Sequence, residues 1–332
     1  MFLYIHLHFT GGAITTHSNK VKPDVILKNF WHNNDRFADL FNATLFHGKP
    51  FLQPDSLVDV STDVSAVVKH NTHADTMQHI FDIAKKTAGG VDYLLLGLEN
   101  QEHIHYAMPL KHMLGDALTY YKEYREIVTR NRAEKNYTSS DEFLSGFQKS
   151  DKLHPVITLC VYYGDSAWDG PLCLTDMMAI SDDLKGLVSD YKINLLQVTQ
   201  TKAYSFHHPE VDTFFKLCRL FYEHNFAEAA SFYDTHDLST ELGLAVGAAT
   251  GSQKLINYAL QANTKGDSIM KQWQSITNWE LQCERKGELK SIPVLLHALK
   301  EYNIPKETAL ENIMRSFSLS AEEAADFMKK CW

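Results

Sequence analysis

Positive charge is scarce in this chain. Against 41 Asp and Glu stand 32 Lys and Arg, a formal net charge of -9 at pH 7. Nonspecific affinity for a polyanion comes from cationic side chains that displace counterions, so this balance argues against a general polyanion binder, and any nucleic-acid surface must be local. Cysteine is sparse as well: Cys160, Cys173, Cys218, Cys283 and Cys331 are scattered without CxxC spacing. That argues against a disulfide framework or a cysteine zinc site and points to a reducing compartment, the cytoplasm. No apolar run approaches the roughly 18 to 20 residues that a bilayer-spanning helix needs. The opening MFLYIHLHFTGG has no basic start of the kind a signal peptide carries, and His6 and His8 break its apolar stretch, so residues 1–20 read as an irregular extension. Internal repeats and low-complexity tracts are missing too.

What is present is a globular composition, 44% hydrophobic and 22% charged over 332 residues, enough for one sizeable core and a second, smaller unit. From Asp24, apolar residues at mixed helical spacing, interrupted near Asn33 and Asn34 and stopped by Gly48, predict two short helices. LVDVSTDVSAVV alternates apolar and polar residues, the period of a strand, and would carry both Asp59 and Asp63. A helix is expected next, with Asp75 as N-cap, Met77, Ile80, Phe81 and Ala84 on one face, and Gly89-Gly90 as its stop. VDYLLLGLENQ predicts a buried strand, and Pro109 opens a long helix whose stripe is Leu110, Leu114, Ala117, Tyr121, Tyr124 and Val128. A polar loop over residues 131–152 leads into the strand HPVITLCVYYG, and KINLLQVTQ is a further strand candidate. Beyond about residue 205 helical patterns take over, including a helix opened by Pro305 and a last one with Ser320 and Glu323 as its capping box. The expected organisation is a domain over 21–205 and a helical one over 206–332. The helical unit could be a packing appendage, a homo-oligomer contact or a partner surface.

The chemistry sits at strand ends. Side chains at i and i+2 share a face, so Glu99 and Gln101 project together while Asn100 points away. If the Asp63 strand is their neighbour, two carboxylates and an amide converge. Such a pair suits a hard divalent cation such as Mg²⁺, with Mn²⁺ as a substitute, which can activate water and stabilise a phosphodiester transition state. Read on its own, GLENQ is also a strand running into a polar turn. Asp59 is a rival to Asp63, and Asp24, Lys28 and Asp39 could reach the site from the N-terminal helices. His103 and His105 form an HxH pair with no further ligand at metal spacing. Over residues 105–135, six basic residues, among them Lys111, Lys122 and Arg125, outnumber four acids, a weak phosphate-binding face.

Asp…Glu-x-Gln on consecutive strands resembles the PD-(D/E)XK nuclease pattern, with Gln101 where lysine is usual. More widely, DVILKNFW, RFADLFNATLF, STDVSA, LGLENQEHIHYAMPLKHMLGDAL, LHPVITLCVYYGDSAWDGP and SLSAEEAADFMKK resemble the Rpn family of recombination-promoting, transposase-like nucleases, over nearly everything after residue 20. The resemblance implies an α/β fold, a restriction-endonuclease-like mixed sheet flanked by helices and followed by an all-helical region. It implies Asp63 as first acid, Glu99 as second, Gln101 in the lysine position, and Mg²⁺-dependent cleavage of DNA. A catalytically degenerate relative that keeps the fold as a DNA-binding or protein-interaction module is the alternative. RNA is a third substrate reading.

Overall fold

The computed structural model describes residues 22–70, 73–87, 94–225, 228–229, 238–265, 291–302, 304–317 and 319–332. The expected N-terminal extension, the Gly89-Gly90 stop and Cys283 lie outside them. Pro23 at the first turn starts helix α1 (Pro23–His32), which buries Ile26, Leu27, Phe30 and Trp31. The break foreseen near Asn33 has a clear cause: Asn33 leaves the helix in an extended conformation, and its side-chain oxygen accepts from the N–H groups of Asp35 and Arg36, capping α2 (Asn34–Leu45).

Five strands form one mixed sheet. They are β1 (Leu57–Asp59), β4 (Ile83–Thr87), β5 (Leu95–Gln101), β6 (Val156–Tyr162) and β7 (Asn194–Gln197), in the order β1-β4-β5-β6-β7. The first two pairings are antiparallel and the last two parallel. A parallel neighbour needs a crossover, and helix α3 (Met108–Glu134), with Pro109 in its first turn, lies between β5 and β6 in the chain. β5 is central. Leu96 and Leu98 are buried in the main core, and Gly97 allows the strand to pass closely under its neighbours, since a Cβ there would stand 2.9 Å from the Phe81 ring and 3.1 Å from Thr158 Oγ1.

Two expectations need correction. LVDVSTDVSAVV is two strands, not one: β1 stays in the main sheet, while β2 (Asp63–His70) pairs with β3 (His73–Ile80) in a separate antiparallel hairpin. The stretch expected as a helix from Asp75 is β3 followed by β4. Met77, Ile80, Phe81 and Ala84 fit a helical period, but a short apolar run also fits a strand, and pairing decides. Ala66 faces Met77 and Val64 faces His79 across the hairpin, and Lys86 faces Leu95 in the sheet. The segment expected as a loop before β6 also contains a short helix, α4 (Ser140–Ser145), capped by Ser139 and ended by Gly146 at φ +71°.

Beyond residue 205 the described elements are helical. The helices Pro209–Tyr222, Thr240–Ala249 and Gln253–Lys265 share the main core with α1, α2, β5 and β6, through Phe214, Phe215, Val246 and Ile256. That core therefore crosses the boundary expected near residue 205. Arg36 ties α2 to these helices: its guanidinium donates to Glu210 Oε2 and Glu241 Oε2, each at 2.8 Å, and lies over the Phe30 ring. The helices over 291–301, Lys306–Phe317 and Ala321–Cys331 gather around a smaller cluster of Ile292, Leu296, Ala309, Ile313, Ala324 and Met328. The Ser320–Glu323 capping box opens the last of them.

Candidate functional site

The sheet period sets the geometry at the end of β5. Glu99 faces α3 and is 2% exposed, whereas Asn100 faces the other side and its Oδ1 accepts from the Tyr163 hydroxyl at 2.9 Å. That hydroxyl in turn accepts from Trp31 Nε1 at 2.7 Å. Glu99 Oε2 takes a 2.6 Å charge-assisted bond from Lys111 Nζ, delivered by the first turn of α3. His79 Nε2, on the separate hairpin, lies 2.9 Å from Glu99 Oε1. This is an ion-pair distance without hydrogen-bond alignment, and neither atom has a hydrogen-bonded partner among the described residues. Burial alone would push the Glu99 carboxyl up, but His79 and Lys111 more than offset it and hold it below the ordinary glutamate value.

The acid opposite Glu99 is Asp82. Ile83 faces Leu98, so the next antiparallel step sets Asp82 against Glu99, and the Asp82 N–H donates to the Leu98 carbonyl at 3.1 Å. Asp82 Oδ2 accepts from the Asn100 N–H at 2.6 Å, and Oδ1 pairs with Lys28 Nζ at 3.0 Å. Burial, and after it the charge of Glu99, raise the Asp82 carboxyl, while the Asn100 N–H and Lys28 pull against that shift. Lys28 is shared, because Asp24 holds the same ammonium at 3.1 Å. Two carboxylates that raise each other's cost of ionisation thus stand between two ammonium groups.

Asp63, expected as the partner of Glu99, is exposed at the start of β2 and paired in register with Ile80. That expectation required the strands of Asp63 and Glu99 to be neighbours, and they belong to different sheets. Asp59 is engaged elsewhere: Lys85 Nζ donates to it at 2.6 Å from a side chain that is 1% exposed, and His32 Nε2 is 3.3 Å away. Asp39 accepts from the backbone N–H of His207 at 2.9 Å. Gln101 contributes its carbonyl to the Tyr163 N–H at 2.8 Å, and its amide makes no hydrogen bond among the described residues. His103 and His105 are exposed, with His105 Nδ1 accepting from the Ala107 N–H. Lys122 and Arg125 are exposed on α3.

Sequence reasoning missed Asp82 and His79. Asp82 carries a signal, a single charge between Phe81 and Ile83 in an otherwise apolar run, but that run also fits the helix expected there. His79 reaches the site only through the pairing of β2 with β3. Below it on α3, Gly115 permits the contact, since a Cβ there would lie 2.6 Å from the His79 ring. Next along the helix, Asp116 accepts from Thr158 Oγ1 at 2.7 Å and from the Tyr191 hydroxyl.

Among the described residues no group of three or more His, Cys, Asp and Glu is placed to hold a metal ion. The donor chemistry of Asp82 and Glu99 is nevertheless of the oxygen type that a hard divalent cation takes: two neighbouring carboxylates, of which Glu99 Oε1 is buried and makes no hydrogen bond among the described residues, with His79 Nε2 2.9 Å away. Lys28 and Lys111 pair with other oxygens of the two acids, Asp82 Oδ1 and Glu99 Oε2. The chain matches no protein-family model, no curated protein and no solved structure.

Proposed function

We propose that the protein is a Mg²⁺-dependent DNA endonuclease with a PD-(D/E)XK-like core, in which Asp82 and Glu99 are the acidic pair. One observation carries the reading: Asp82, the residue just before β4, falls opposite Glu99 of β5 by extension of the Ile83–Leu98 register, and Glu99 stands two residues before Gln101, in an Asp…Glu-x-Gln arrangement. Asp82 and Glu99 would hold the cation, which when bound lowers the pKa of a coordinated water and screens a phosphodiester oxygen. The rest falls to the chain itself. Lys111, on α3, offers the positive charge that the glutamine at 101 cannot carry, and it reaches the site from outside the strand. Gln101 is suited to orienting a water through its unengaged amide. The Asn100 N–H fixes Asp82, and the Trp31–Tyr163–Asn100 hydrogen bonds fix Asn100.

The measurement is plasmid nicking with Mg²⁺ or Mn²⁺. Wild type is expected to convert supercoiled DNA to open circles, Asp82→Asn and Glu99→Gln to lose the activity, and Asp63→Asn to keep it. Equal rates in wild type and Asp82→Asn would sink the assignment.

The competing reading, a nuclease fold retained as a binding module without catalysis, is favoured by one observation: Lys111 and His79 already lie against both oxygens of Glu99. Calorimetry with Mn²⁺ separates the two. Binding that disappears in Asp82→Asn supports the enzyme, and no binding supports the module.

A further inference from the structure

A second recess lies along the other half of α3. Up to Leu118 this helix packs directly on the sheet through the Phe81, Ala84 and Leu118 cluster. Beyond it Lys122, Glu126, Ile127 and Arg130, mostly charged and three of them exposed, line a cleft of about 600 Å³. A cleft of that size is in the range that holds one small organic molecule. Its lining joins apolar Phe81, Gly97 and Ile127 to charged Lys122, Arg130 and Lys152.

The lining charges are unevenly used. Among the described residues Lys122 and Lys152 have no ion pair, and Arg130 reaches only Asp151 Oδ1, at 3.9 Å. Of the acids, Glu123 is taken by His154, and Asp151 accepts from Asn131 Nδ2 and the Gln148 N–H. Glu126 alone keeps an uncommitted carboxylate among those described. The cleft therefore presents apolar surface, cationic side chains and one hydrogen-bond acceptor.

We propose that this cleft binds a nucleoside monophosphate whose base carries an exocyclic amine. The base lies against Phe81, Gly97 and Ile127, Glu126 accepts from its amine, and Lys122, Lys152 and Arg130 hold the phosphate. A phosphate with a second ionisation near pH 6 carries close to two charges at pH 7, which three cations match, two of them without an ion pair among the described residues. The site shares no residue with Asp82 or Glu99, so it stands whether or not the chain cleaves DNA.

Isothermal titration of the full chain with adenosine 5′-monophosphate, adenosine and inorganic phosphate tests it. The monophosphate is expected to bind, and adenosine and phosphate each about tenfold or more weakly than it. The exposed double substitution Lys122→Ala/Lys152→Ala should weaken the monophosphate about tenfold and leave adenosine unchanged. Glu126→Ala should remove the preference over inosine 5′-monophosphate, which lacks the amine. Glu99→Gln should bind as wild type does. No binding of the monophosphate at millimolar concentration, equal binding of adenosine, an unaffected lysine double variant, or tighter binding of a fatty-acid carboxylate would each overturn the proposal.

Discussion

Lys111 Nζ lies 2.6 Å from Glu99 Oε2, so a carboxylate that is 2% exposed is held low by His79 and by a lysine one helix away. Removing one partner of such a pair leaves the other charge uncompensated. Lys111→Met should destabilise the fold by about 2–4 kcal/mol in urea unfolding, and Glu99→Gln by less, because an amide needs no counter-charge. The double substitution should cost less than the sum, which a double-mutant cycle reads directly.

His112 follows Lys111 on α3 and is fully buried, with neither ring nitrogen hydrogen-bonded. Burial pushes its pKa down to about 4, against a partial upward pull from Glu99. The unfolded chain therefore binds more protons than the folded one between about pH 4 and 6.5, and the stability from the neutral ring, complete above 6.5, is lost as pH falls through that window. A shift of this size corresponds to about 3 kcal/mol. The downward shift at Glu99 acts in the same direction, at lower pH. His112→Phe should flatten the decline in melting temperature between pH 6.5 and 4 and exceed wild type at the acid end.

Gly115 sits inside α3, where alanine ordinarily stabilises by about 1 kcal/mol. Here the sign reverses, because the added Cβ would stand 2.6 Å from His79 Cδ2 and displace the hairpin that carries it. Gly115→Ala should destabilise by about 1–3 kcal/mol. The pair Gly115→Ala/His79→Ala should recover most of that loss in thermal unfolding.

Arg36 joins three helices through one planar group, which also donates to the Phe30 carbonyl at 3.1 Å. A lysine has one point charge and cannot reproduce the fork. Arg36→Lys is expected to lose about 1–2 kcal/mol and Arg36→Met about 2–3, discounted for the half-exposed Glu241 partner. Chemical denaturation of the two variants side by side checks the order.

Local signals in the sequence were enough where the chain's own neighbours decide the structure. Pro109 opens a helix, Asn33 interrupts one, Ser320 and Glu323 start the last, and β5 and β6 follow from apolar runs. The period of two also placed Glu99 and Asn100 on opposite faces. The region from Asp75 to Ala88 was misread because its four apolar residues satisfy either period, and the deciding partner, β2, is a strand that had itself been merged with β1. That one error hid Asp82 and His79 together. The reach of Lys111 back to Glu99 depends on how α3 docks, which no residue spacing reports.

The two sides of β5 differ in how far the chain must travel to complete them. Its antiparallel edge meets β4, a near neighbour in sequence, while its parallel edge waits for β6, which is synthesised only after all of α3. Distant pairings form late because loop closure must precede their contacts, so the β4–β5 ribbon should assemble first with one edge of Leu95 to Gln101 still open. During that interval the ribbon is a sticky template for other chains. The parallel edge of β5 is closed by β6, which pairs with it from Leu95 to Gln101.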